Sequence, residues 1–102
     1  MSLSTHVLDT ATGRPAAGVA VHYWVCGADG WQRLASARTD ADGRVPRIAS
    51  TLTPGLARLV FEIGGDGFFP EVAVTFRVTD PTEHHHVPLL LSPCAYTTYR
   101  GS

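Results

Sequence analysis

Through most of this chain apolar and polar residues alternate with a period of two. Val72, Val74, Phe76 and Val78 interleave with Ala73, Thr75, Arg77 and Thr79, as in a strand with one face in a core and the other in water. Val19, Val21, Tyr23 and Val25 interleave with Ala20, His22, Trp24 and Cys26, so both faces of that strand are fairly apolar. The same alternation predicts strands over residues 3–8, 31–37, 44–48, 57–63, 84–91 and 95–100. Turn-forming stretches separate them: DTATGRPAAG, CGADG, TDADGR, LTPG, GGDGFFP and DPTE. No window carries helical spacing. Short strands broken by a turn every ~8–12 residues indicate an all-β sandwich or small barrel.

Parity then sorts the polar residues by face. In the strand over 3–8, Leu3, Thr5 and Val7 share one side, and Ser4, His6 and Leu8 share the other. In HHHVPLLL, His85, Val87, Leu89 and Leu91 form the more apolar side, which belongs in the core. His84, His86, Pro88 and Leu90 are left on the opposite face. His6 and His86 are therefore both expected to point away from the core, on faces that still carry Leu8 and Leu90. Outer sheet faces of this half-apolar kind are often covered by another subunit, so a homo-oligomer with histidines at its interface is expected.

Composition narrows the class. The 102 residues, 44% hydrophobic and 17% charged, are read as a single globular domain spanning 1–102. Arginine supplies every one of the 8 basic residues, against 9 acidic ones. With no basic patch, nucleic acid is not expected as a partner. The longest apolar run, residues 87–91, is too short to span a membrane. The opening MSLSTHVLD lacks the charged and apolar regions of a secretory leader, so a cytoplasmic setting is expected. Cys26 and Cys94 are too few for a disulfide scaffold and are read as buried free thiols.

No motif of known mechanism stands out from spacing alone. The tract His84-His85-His86 invites a metal, but alternation turns His85 away. Only two adjacent candidates remain, with no carboxylate or thiolate at ligand spacing. No metal and no cofactor are expected. His22 is read as a partly buried structural residue, and Arg44 sits after a turn at which Gly43 takes positive φ. Catalytic elbows and phosphate loops do not occur. One oddity is left: the chain closes on AYTTYRGS, a strand-like tail dense in phenol, hydroxyl and guanidinium groups.

Taken in order, LSTHVLDTATGRPAAGVAV, TDADGR, FFPEVAVTFRV and HHHVPLLLSPCAYTTYRGS resemble the transthyretin-like 5-hydroxyisourate hydrolases over nearly the whole chain. The closing Tyr99-Arg100-Gly101-Ser102 is similar to that family's C-terminal signature, which separates the hydrolases from the hormone-carrying transthyretins. The resemblance implies that the tail belongs to the active site and ends where the family's chains end. It implies a transthyretin-like sandwich of two four-stranded antiparallel sheets, assembled as a homotetramer, a dimer of dimers around a channel into which the active sites open. It also implies the residues: His6 from LSTHVLD, Arg44 from the DGR turn and His86 from H-x-H-V-P as catalytic groups. His6, Arg44 and Tyr99, Arg100, Gly101 and Ser102 would bind substrate. Two departures are visible. The family's short helix before FFPEV is reduced here to Gly64-Gly65-Asp66-Gly67, which leaves one sheet end less shielded, and Cys94-Ala95 replaces a bulkier or glycine-containing pair.

The implied substrate is 5-hydroxyisourate, the labile product of urate oxidation. Its hydrolysis opens one ring amide to give 2-oxo-4-hydroxy-4-carboxy-5-ureidoimidazoline. A histidine base, with an ordinary pKa of about 6.5, suits the activation of water at neutral pH. An arginine fork suits a planar, carbonyl-rich ring. Tyr99 would close the pocket, and a terminal carboxylate would steer Arg44 or a histidine. Two rival functions are a transthyretin-like carrier of an apolar ligand and a non-enzymatic interaction module. The first expects lysines in the channel, and this sequence has none. The second has no use for the terminal tetrad.

Overall fold

The computed structural model describes residues 2–102. Among them it contains nine strands and no helix: β1 (Leu3–Asp9), β2 (Arg14–Pro15), β3 (Ala20–Gly27), β4 (Gly30–Arg38), β5 (Arg44–Ala49), β6 (Gly55–Glu62), β7 (Glu71–Val78), β8 (His85–Ser92) and β9 (Ala95–Thr98). Each strand predicted by alternation is present, with its ends moved by at most about two residues. The two-residue β2 was not predicted. Its pairing with Leu8 and Asp9 follows from the turn at residues 10–13 rather than from any hydrophobic pattern.

Two sheets enclose one core. One has the order β4-β3-β6-β7 and is antiparallel throughout. In the other, β1 lies between β8 and β5, β9 extends the β8 side, and β2 adds a fifth, short strand on β1. The expected pair of four-stranded antiparallel sheets is amended here: β1 and β8 run parallel, Leu3 against His85 through Asp9 against Leu91. The first and eighth strands meet only after the chain has built the other sheet between them, and the Thr5 hydroxyl joins the pair by donating to the Val87 carbonyl at 2.5 Å.

The inward-facing residues that alternation selected form the core. Leu3, Val7, Val87 and Leu89 from one sheet meet Val21, Tyr23, Leu59, Phe61 and Val72 from the other. Each fully buried side chain of this size is worth about 1.5–3 kcal/mol. Burial also raises the Tyr23 phenol above its ordinary value. His85 lies on the core side as expected, buried, its Nδ1–H donating to the Glu83 carbonyl at 2.9 Å.

Two local expectations had different outcomes. Where the helix is missing, Gly64 and Gly65 take φ of 66° and 68°, and the N–H groups of Ile63 and Gly64 both donate to the Pro70 carbonyl. The short loop closes itself, and beside it lies a groove of about 550 Å³ lined by Val19, Ile63, Gly65, Leu91 and Pro93. The cysteines are free, but both are exposed rather than buried. Cys26 lies near the end of β3 and Cys94 in the turn between β8 and β9, where the chain leaves the sandwich.

Candidate active site

The turn before β5 is built by one carboxylate. Asp40 Oδ1 accepts the N–H groups of Asp42 and Arg44, both at 2.9 Å, and the Asp40 carbonyl accepts Gly43 N–H at 2.9 Å. Gly43 takes a φ of 74°, and its carbonyl accepts Val7 N–H at 2.7 Å. A Cβ there would lie 2.4 Å from the Val7 carbonyl oxygen. The turn is thereby pressed onto β1 and sets the register in which Arg44 stands opposite His6. His6 Nε2–H donates to the Asp42 carbonyl at 2.9 Å, which leaves its Nδ1 lone pair free for other partners.

On the other side of β1, the parallel register sets Ser4 opposite His86 and His6 opposite Pro88. His86 Nδ1 lies 2.7 Å from Ser4 Oγ. The tail then straps across β8. The Thr98 hydroxyl donates to the Pro88 carbonyl, and Gly101 N–H donates to the His86 carbonyl, both at 2.8 Å. A Cβ on Gly101 would lie 2.4 Å from His86 Cδ2. Any larger residue at 101 would therefore push either the tail or the imidazole out of place.

These elements bound a cleft of about 280 Å³ lined by Ser4, Arg44, Pro46, His84, His86 and Ser102. Its electrostatics favour a neutral imidazole at position 86. Burial first, then the charges of His84, His6 and Arg44, hold the His86 pKa below the ordinary histidine value, against a smaller opposing effect from the Ser4 backbone.

The structure thus brings Arg44, His86 and Ser102 to one cleft, with His6 beside them across from Arg44 and Gly101 against His86. Tyr99 and Arg100 line a neighbouring cavity of about 220 Å³ on the β7 side, together with Val74, Phe76 and Val87. Arg100 also pairs with Glu83, in the segment before β8, at 3.3 Å. Ser4 and His84 also belong to the cleft; the sequence raised His84 only as a metal candidate and gave Ser4 no role. Parity had already set them on the outer face, but linking them to His86 required the parallel register. Among the described residues no group of three or more His, Cys, Asp or Glu could hold a metal. His22 stands on β3 in the other sheet, half-buried, with Nδ1 2.6 Å from Ser36 Oγ and Nε2 2.8 Å from Glu62. The hydrogen bond and charge of His22 hold the Glu62 carboxyl below its usual range.

Residues 3–101 match the HIUase/Transthyretin family. The chain belongs to that family. It is 43% identical over 109 residues to the 5-hydroxyisourate hydrolase of Salmonella typhimurium, an alignment covering 98% of this chain and 80% of that one. The structure of Klebsiella pneumoniae 5-hydroxyisourate hydrolase superposes with a TM-score of 0.86 at 34% identity, over 99% of this chain and 98% of that one. Sea bream transthyretin in complex with thyroxine superposes with a TM-score of 0.90 at 30% identity, over 99% and 95%. Within the family, then, one backbone serves a hydrolase and a thyroxine-bound protein alike, so the backbone by itself does not fix the function.

Proposed function

We propose that this chain, as a single domain over residues 1–102, hydrolyses 5-hydroxyisourate to 2-oxo-4-hydroxy-4-carboxy-5-ureidoimidazoline in urate degradation. The observation that carries this function is the meeting of Arg44, His86 and Ser102 in one cleft, with His6 directly across from Arg44. An apolar carrier site would need none of these groups. The hydrolase names of relatives such as the Salmonella typhimurium and Klebsiella pneumoniae proteins point the same way.

His86 is the base. Its depressed pKa keeps the imidazole neutral near pH 7, free to take a proton from water. Its Nε2 makes no hydrogen bond to the described residues, so water or substrate can occupy that position. Arg44 presents a planar fork of donors to the carbonyl edge of the ring and stabilises the oxyanion as water adds. His6, fixed by the Asp42 carbonyl, offers Nδ1 to an N–H of the ring or to the attacking water. Gly101 and Ser102 close the cleft from the tail side. Tyr99 and Arg100 act from the adjoining cavity, within reach of a ring that extends past His86.

The active assembly is a homotetramer, a dimer of dimers, with the cleft opening into its channel. Support comes from the outer face that surrounds the cleft, where Leu8 stands opposite Leu90 and Pro46 lines the cleft itself. A cytoplasmic setting fits the two exposed free thiols, and no helix among the described residues is long and apolar enough to cross a membrane.

The test is to generate 5-hydroxyisourate in situ with urate oxidase and follow its ultraviolet decay with and without catalytic amounts of the protein. Acceleration proportional to protein concentration is expected. An unchanged decay in the presence of folded protein would remove the hydrolase in favour of a binding role.

A further inference from the structure

The outer face holds polar groups that the hydrolysis described above leaves unused. Ser2 Oγ lies 2.5 Å from His84 Nδ1, and His84 Nε2 lies 2.9 Å from Ser4 Oγ. Ser4 Oγ lies in turn 2.7 Å from His86 Nδ1. These contacts form an unbroken line of hydrogen bonds from the exposed end of the cleft to the proposed base. Ser4 is 7% exposed, so its hydroxyl serves the two rings rather than bulk water. The two imidazoles lie nearly parallel, with centroids 6.5 Å apart.

A serine hydroxyl carries one proton and can accept others. Between two imidazoles it donates to one and accepts from the other, so the line has two directions. In one, Ser4 donates to His84 Nε2 and accepts from His86 Nδ1–H, which leaves His86 Nε2 with a lone pair. In the other, His84 Nε2–H donates to Ser4, Ser4 donates to His86 Nδ1, and His86 Nε2 carries the proton. The first state is a base towards the cleft and the second an acid.

We propose that His84 and Ser4 form a proton relay that converts His86 from base to acid within one turnover. The proposal rests on the hydrolase function above. As the water oxygen bonds to the ring carbonyl carbon, one water proton passes to His86 Nε2. The Nδ1 proton of His86 moves to Ser4 Oγ, and the proton Ser4 already held moves to His84 Nε2. His84 becomes an imidazolium whose Nδ1–H remains on Ser2. When the ring C–N bond breaks, the leaving nitrogen takes the Nε2 proton of His86 and the line runs back. One water is consumed, and no proton is left on the protein.

The surroundings explain why the charge should move. His86 is half-buried, faced by His6 from β1, Arg44 from β5 and His84 from the segment before β8, while the tail's Arg100 is paired with Glu83. A lasting imidazolium at position 86 would be half-buried and would face the Arg44 guanidinium. His84 is exposed, so the same charge there is solvated. His84 is thus a positioning and relay residue acting through Ser4, and His86 remains the group that meets the substrate.

The decisive variants are H84Q, S4A and the double variant S4A/H84Q, each checked for unchanged thermal unfolding. Glutamine can still donate an N–H to Ser4 but cannot take up a proton, so it separates a relay from a tether. The relay requires H84Q and S4A each to lower kcat about tenfold or more with little change in KM, and the double variant to fall no further than either single one. In H84Q the acid limb of kcat/KM should also move to higher pH, because the charge opposing protonation of His86 is gone. Wild-type kcat in H84Q, or losses that multiply in the double variant, would overturn the relay. Imidazole nitrogen NMR reads it without turnover. In wild type the tautomers and titrations of His84 and His86 should be coupled, and in S4A uncoupled. Independent titration of the two rings in wild type would overturn the relay even if the protein proved inactive, whereas inactivity of wild type in the decay assay would sink the hydrolase function itself.

Discussion

Gly101 shows how much of this site depends on single atoms. The tail crosses His86 so closely that one added methyl group would lie 2.4 Å from the imidazole. Gly101→Ala should displace either the ring or the tail by a sizeable fraction of an ångström. Misplacement on that scale is costly to catalysis, so kcat is expected to fall about 10–100-fold. Thermal unfolding should change little, because the tail lies at the surface; steady-state rates beside a melting curve would check both. His86 carries the pH dependence. Its folded pKa is depressed, so the neutral, proton-accepting form persists below the ordinary histidine range of about 6.5. The acid limb of kcat/KM should therefore lie below that value in a pH–rate profile. The linked stability has the matching sign: it is fully present above the unfolded pKa and is lost as pH falls through the depressed folded value.

At the level of elements, the turn at residues 40–44 positions Arg44, and Gly43 holds that turn against β1. Gly43→Ala would combine a φ of 74° with a contact of 2.4 Å to the Val7 carbonyl. Backbone on both sides cannot yield, so a loss of about 1–3 kcal/mol is expected in urea unfolding, with reduced activity in the folded fraction. This scale is also where the sequence was most informative. Strict alternation in β1 and β8 placed Leu3, Val7, Val87 and Leu89 in the core and turned His6 and His86 outward. Alternation says nothing about which strand neighbours which. The parallel pairing of β1 with β8, and with it the link from Ser4 to His84 and His86, depends on contacts 80 to 82 positions apart in sequence. β2 was illegible for a related reason: two residues, Arg14 and Pro15, are too few to show any period.

At the scale of the whole molecule, the cleft lies on an outer sheet face that is only partly polar. If the proposed tetramer forms through that face, Leu90→Asp, opposite Leu8, should give a smaller species in sedimentation while leaving circular dichroism unchanged, and activity should fall with it. The resemblance to a known family pointed to the outer face carrying His6 and His86 as the active one, a choice that composition and spacing did not make. It also grouped Tyr99 and Arg100 with the cleft; they line an adjoining cavity that shares His86 with it, and Arg100 pairs with Glu83. The central claim is that the cleft at His86 is a hydrolytic centre. Its most direct test is the decay of 5-hydroxyisourate with wild type and His86→Asn at equal concentration, alongside their melting temperatures. A loss of about 10²–10⁴ in kcat with little change in melting temperature is the predicted result. Full activity in His86→Asn, or activity and stability lost together, would contradict it.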